Sequence, residues 1–75
     1  MIVTEYASGT LKIKELFIHE GMDVVEDQPL FKAGSRIFYS TARYRIVNIF
    51  IEVGDIVEVD NPLYEIEYYY GYLYN

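Results

Sequence analysis

The stretch Glu20-Gly-Met-Asp-Val-Val-Glu-Asp-Gln-Pro-Leu30 returns 33 residues later as Val53-Gly-Asp-Ile-Val-Glu-Val-Asp-Asn-Pro-Leu63. Both copies hold a glycine, a valine three residues further on, and an Asp-x-Pro-Leu unit. Glycine adopts the positive φ that tight turns require, and proline is tolerated as the first residue of a strand, where no ladder donor is needed. Each copy therefore predicts a turn, a short strand, a second turn and another strand.

The same offset aligns the flanking sequence without a gap. Ile13-Lys-Glu-Leu-Phe-Ile18 falls on Ile46-Val-Asn-Ile-Phe-Ile51, and Tyr6-Ala-Ser8 falls on Tyr39-Ser-Thr41. A fixed period of this kind marks two copies of one structural unit, about residues 3–33 and 36–66. Because neither copy can bury its apolar face alone, we expect the two to pack together as a single domain over residues 1–75.

The composition favours strands over helices. Val, Ile, Tyr, Phe and Thr are abundant, and apolar residues do not recur at helical spacing over three turns. We read the structural turns from Gly21, Gly34, Gly54, Pro29 and Pro62. The predicted strands are 2–7, 11–18, 24–26, 29–33, 36–41, 44–51, 57–59 and 62–70.

Charge narrows the range of partners. The chain has a formal net charge of −6, and residues 46–75 contain six acids and no lysine or arginine. Such a field opposes binding to nucleic acid or to an anionic membrane. The first ten residues lack a basic segment, and the apolar runs fall far short of the roughly 20 residues that a membrane helix needs. We therefore expect a soluble, intracellular protein without a signal peptide or membrane insertion.

The two units resemble the halves of biotinyl and lipoyl carrier domains. The resemblance rests on Glu20-Gly-Met-Asp-Val24 with Pro29-Leu30, and on Gly54-Asp-Ile-Val57 with Pro62-Leu63; it covers about residues 2–67. It implies an all-β barrel-sandwich hybrid, a flattened eight-stranded barrel with pseudo-two-fold symmetry.

The resemblance fails at one functional position. In such carriers a lysine at the tip of the hairpin between the halves receives biotin or lipoate. Here the stretch reads Phe31-Lys-Ala-Gly-Ser-Arg-Ile37, and we place the hairpin tip at Gly34-Ser35. Arg36 lies nearest the expected lysine, but a guanidinium cannot replace an amine in amide formation. Lys32 precedes the tip and is interpreted as a solvated strand residue, with a displaced attachment site for biotin or lipoate as the alternative.

Other chemistry has little support. The chain has one histidine, His19, and no cysteine, which argues against a zinc site and against nucleophilic catalysis. The carboxylates near the glycine turns lack the spacing of a calcium loop and are interpreted as turn formers. We expect no metal, no resident cofactor and no enzymatic activity.

The C-terminal extension, residues 68–75, is rich in tyrosine. Tyrosine combines a large apolar face with a hydroxyl that tolerates water, and it is favoured at protein interfaces. The extension either covers the open end of the barrel or anchors a protein partner or a second copy of the chain. The candidate contact residues are Tyr68, Tyr69, Tyr70, Tyr72, Leu73 and Tyr74.

The sequence thus predicts a non-enzymatic protein-binding or assembly module on an unmodified carrier-type scaffold. Two alternatives remain open: a biotin or lipoyl carrier modified at Lys32, and a small acidic inhibitor that mimics nucleic acid.

Overall fold

The computed structural model describes residues 1–69, which form eight strands and no helix. All eight predicted strands are present, and their ends fall within two residues of the predicted ones. The strands are β1 (Ile2–Tyr6), β2 (Leu11–Leu16), β3 (Asp23–Val24), β4 (Pro29–Ala33), β5 (Arg36–Tyr39), β6 (Tyr44–Ile49), β7 (Ile56–Val57) and β8 (Pro62–Tyr68).

The strands form two antiparallel four-stranded sheets. The strand order is β1-β8-β6-β3 in sheet 1 and β5-β4-β2-β7 in sheet 2. Shifting each strand by 33 residues along the chain converts one order into the other, because β1 corresponds to β5, β2 to β6, β3 to β7 and β4 to β8. The predicted all-β barrel-sandwich fold is therefore confirmed, with its two halves in equivalent positions.

Backbone hydrogen bonds cross between the halves in matched pairs. The amide of Gly21 donates to the carbonyl of Ile46 at 2.8 Å, and the amide of Gly54 donates to the carbonyl of Ile13, also at 2.8 Å. Buried amides and carbonyls need such partners, and here each half supplies them to the other. Neither half can complete its hydrogen bonding alone.

The hydrophobic core follows the same pairing. Fourteen of the fifteen buried residues fall into seven pairs that are 33 residues apart, and Tyr44 is matched by the partly buried Leu11. Both members of each pair point inward because side chains alternate across a strand, so an equivalent strand buries equivalent positions. The pairs are Ala7/Ser40, Ile13/Ile46, Ile18/Ile51, Val24/Val57, Leu30/Leu63, Phe31/Tyr64 and Ala33/Ile66.

Equivalent turns have equivalent backbone conformations. Gly21 and Gly54 have φ of 85° and 99°, and Asp27 and Asp60 have φ of 67° and 69°. Aspartate is one of the few residues besides glycine that visit this region readily. A Cβ on Gly21 would meet no atom within 4 Å, so the backbone conformation favours glycine there, rather than lack of space.

A Gly21→Ala substitution tests this reading of the turn. We expect a loss of about 1–2 kcal/mol in the free energy of unfolding, because an L side chain is strained at positive φ. Gly9→Ala is the matched control, since Gly9 also has open space but no positive φ. Urea denaturation of both variants measures the difference, and equal stability of the two variants would contradict the strain argument.

Candidate binding surfaces

The hairpin between the halves has a two-residue tip. Ala33 pairs with Arg36, so Gly34 and Ser35 alone connect β4 to β5. Gly34 has a φ of 62°, whereas Ser35 does not have a positive φ, the pattern of a type II′ turn with glycine in its first central position. The tip lies close to β2, because the amide of Gly34 donates to the carbonyl of Lys12 at 3.2 Å.

The two basic residues nearest the tip are placed differently. Lys32 is partly buried in β4, an internal strand, where its backbone pairs with Glu15 on one side and Ile37 on the other. Arg36 is exposed at the start of β5, and its guanidinium carbon lies 4.4 Å from the centre of the Phe38 ring. The tip itself therefore presents glycine and serine.

The first tyrosine of the C-terminal extension packs against the domain. Tyr68 ends β8, where its backbone pairs with Tyr44, and the two rings meet edge to face with centroids 5.8 Å apart. Tyr68 is partly buried, so it belongs to the packing of sheet 1 as well as to the extension.

Tyr69 is bound to a charged pair on the same sheet. Its hydroxyl donates to the Asp23 carboxylate, whose oxygen also lies 3.3 Å from the Arg45 Nε. The hydrogen bond from Tyr69, followed by that from Arg45, lowers the pKa of Asp23. The Arg45 guanidinium carbon lies 5.8 Å from the centre of the Tyr69 ring. The predicted contact residues Tyr70, Tyr72, Leu73 and Tyr74 lie outside the described residues.

An aromatic cleft of about 190 Å³ opens where β1 and β5 end. Two exposed tyrosines, Tyr6 and Tyr39, line it and correspond to each other between the halves. Glu5 and Phe38 also line the cleft and also correspond, so a carboxylate in one half takes the place of a ring in the other. The cleft was not predicted from the sequence, in which the aligned pair Tyr6 and Tyr39 was the available signal for it.

Two buried phenols lie beneath this region. Tyr44 and Tyr64 are 4% and 6% exposed. Burial, with a smaller contribution from the charge of Glu5, raises the pKa of Tyr44 from 10.0 to about 12. Burial also raises the pKa of Tyr64, and the nearby Tyr44 and Glu5 add to that effect.

The two sheet edges at β3 and β7 differ in chemistry. Along β3 and its flanking turns, three exposed acids form an acidic edge: Glu20, Asp23 and Glu26. The corresponding residues along β7 are aliphatic and are called the apolar edge: Val53, Ile56 and Val59, which are 61%, 66% and 57% exposed. Asp55 and Glu58 lie between them, at the positions that Met22 and Val25 take along β3. The two segments align on the residues that they share, and the positions at which they differ were visible in the same alignment.

Residues 1–69 contain no helix that is long and apolar enough to cross a membrane. Over the same range, no three side chains of the histidine, cysteine or carboxylate type converge as they would to hold a metal ion.

Comparison with solved structures finds the same arrangement of strands elsewhere. The chain superposes with a TM-score of 0.80 on part of a structure described as a single-chain, multi-domain long-chain acyl-CoA carboxylase. The likeness is one of fold. The two sequences share 17% identity over 91% of this chain, and the match covers 7% of the carboxylase chain. No protein-family model and no curated protein matches the sequence.

The buried phenols predict a loss of stability in alkali. An unfolded chain releases phenol protons from about pH 10, whereas the folded protein retains those of Tyr44 and Tyr64 to higher pH. The stability that comes from keeping both phenols neutral is therefore fully present below pH 10 and falls as the pH rises towards 12. Urea denaturation at a series of pH values measures the slope.

Tyr64→Phe is the test variant for this slope, and Tyr39→Phe is its control. We expect Tyr64→Phe to reduce the fall in the free energy of unfolding at alkaline pH, because the variant lacks one of the two phenol protons that the folded state retains. Tyr39 is 55% exposed, so removing its hydroxyl should leave the slope unchanged. An equal slope in the wild type and in Tyr64→Phe would contradict the assignment.

Proposed function

We propose that the protein is a non-enzymatic protein-binding or assembly module, built on a carrier-type scaffold that is not modified. The observation that supports this most directly is the Gly34-Ser35 hairpin tip. In the carrier family the corresponding tip presents the amine that accepts biotin or lipoate, and neither glycine nor serine has one.

The neighbouring basic residues are poor substitutes for a tip lysine. Arg36 carries a guanidinium, which does not form the amide, and its charge already lies over the Phe38 ring. Lys32 lies within an internal strand and is partly buried, so a modifying enzyme would have to reach it across the sheet face. Both placements favour a scaffold used without a prosthetic group.

The placement of the histidine is consistent with a binding role. His19, the one histidine in the sequence, is exposed, and its Nδ1 lies 3.0 Å from the carbonyl oxygen of Glu20. A nucleophile with a base and an orienting group needs these side chains within hydrogen-bonding distance of one another. None of the hydrogen bonds that describe residues 1–69 links His19 to a serine, threonine or carboxylate side chain.

The binding element of the proposal is the tyrosine-rich extension. Tyr68 and Tyr69 attach the chain to sheet 1, through the Tyr44 ring and the pair formed by Asp23 and Arg45. The residues that follow, 70–75, include three more tyrosines and no charged side chain. Because Tyr69 is held on sheet 1, the segment that follows it starts from a fixed position, which reduces the conformational entropy lost when its tyrosines bind a partner.

Two full-length variants distinguish a binding module from a carrier. The first replaces three tyrosines, with Tyr70→Ser, Tyr72→Ser and Tyr74→Ser, and leaves Tyr68 and Tyr69 in place because they belong to the folded domain. The second is Lys32→Arg, which keeps the charge but removes the amine. We expect the tyrosine variant to lose the native complex and Lys32→Arg to retain it, measured by size-exclusion chromatography of extracts that contain the tagged chain.

Tyr39→Ser is the matched control, because it removes an exposed tyrosine elsewhere on the surface. Loss of the complex in Lys32→Arg, together with its survival in the tyrosine variant, would reject the binding module in favour of a carrier.

A further inference from the structure

The apolar edge formed by Val53, Ile56 and Val59 replaces three acids that the first half carries at the corresponding positions. Proteins protect exposed sheet edges with charged side chains, since an unpaired apolar edge invites another chain to associate. The acidic edge at β3 meets this requirement. At the three corresponding positions along β7, every acid is replaced by an aliphatic residue that is more than half exposed.

The first half shows what covers such a place. Asp23 pairs with Arg45 across β3 and β6, and Tyr69 lies over this pair. In the second half Ile56 pairs with Lys12 across β7 and β2, so an aliphatic residue and a cation take the corresponding positions. An aromatic ring is suited to this pair of residues, because it gains apolar contact with Ile56 and a cation–π interaction with Lys12.

Among residues 1–69, the position that corresponds to Tyr69 is not a tyrosine. The residue that corresponds to Tyr69 is Arg36, where the backbone enters β5 and the side chain lies over Phe38. Within residues 1–69, the cover that Tyr69 gives to sheet 1 therefore has no counterpart at the corresponding position of sheet 2.

The sequence beyond Tyr69 has the pattern of a suitable ligand. Tyr70, Tyr72 and Tyr74 alternate with other residues, and alternation is the pattern of a strand with one apolar face. Segments of this kind bind by aligning with an exposed sheet edge, where alternate side chains contact the neighbouring surface. Residues 70–75 carry no charged side chain, so their side chains add no repulsion from the negative field of the domain.

We propose that the apolar edge binds the tyrosine-rich segment, residues 70–75, of a second copy of this chain. The chain leaves sheet 1 at Tyr69, whereas the apolar edge belongs to sheet 2, which favours a contact between two copies over one within a copy. Two copies can exchange segments reciprocally, so that one symmetric dimer satisfies both edges. The inference rests on the proposed function and names the partner as the chain itself.

The test variant copies the acidic edge onto the second half of the full chain, with Val53→Glu, Ile56→Asp and Val59→Glu. The first half carries these acids at the same places, so the fold should accept them, and thermal unfolding checks that it does. We expect the wild type to pass from monomer to dimer with concentration in sedimentation equilibrium. We expect the dimer dissociation constant to rise at least about tenfold in the variant.

Two further variants complete the design. The tyrosine variant with Tyr70→Ser, Tyr72→Ser and Tyr74→Ser should weaken the dimer to a similar extent, because it removes the other side of the same contact. Val25→Glu is the matched control, since Val25 is 49% exposed and lies outside the apolar edge. It should leave the dissociation constant unchanged.

A wild type that stays monomeric at all concentrations, or that forms open polymers, would overturn the inference. An unchanged dissociation constant in the apolar-edge variant would also overturn it. If the purified chain is monomeric while the tyrosine variant still loses its native complex, this inference fails and the proposed function stands. If the native complex also survives in the tyrosine variant, both fail.

Discussion

The hydrogen bonds that the two halves exchange at their glycine turns determine the rest of the architecture. Gly21 donates to Ile46 and Gly54 donates to Ile13, and both isoleucines lie at the centre of the core, 0–1% exposed. Each turn therefore joins the backbone of one half to a fully buried isoleucine of the other. A chain this small buries a modest fraction of its surface, so it depends on such shared bonds to complete two sheets around one core.

This constraint operates inside the molecule and leaves the outer positions free to differ. Most corresponding buried residues stay alike in kind, as Leu30 and Leu63 do, since they fill equivalent space. Corresponding exposed residues diverge: Glu20, Asp23 and Glu26 along β3 are replaced by the aliphatic residues of the apolar edge along β7. The functional features that we propose all lie where the two halves stop resembling each other.

Periodicity made the strands and the paired core predictable from sequence, because a fixed offset of similar residues constrains both halves at once. Contacts between residues that are distant along the chain were not predictable in this way. Tyr69 and Asp23 are 46 residues apart, and no local pattern links them. Ser40 is a second example: its buried hydroxyl donates to the carbonyl of Val25, and its partner Ala7 in the other half has no hydroxyl to suggest the contact.

The intact mass of the protein from its native source, with a peptide map across Phe31 to Arg45, tests the central claim that this scaffold works without a prosthetic group. The account predicts the mass of the unmodified chain and an unmodified peptide containing Lys32. A biotinyl or lipoyl group on Lys32 would contradict it and would make the protein a carrier with a displaced attachment site.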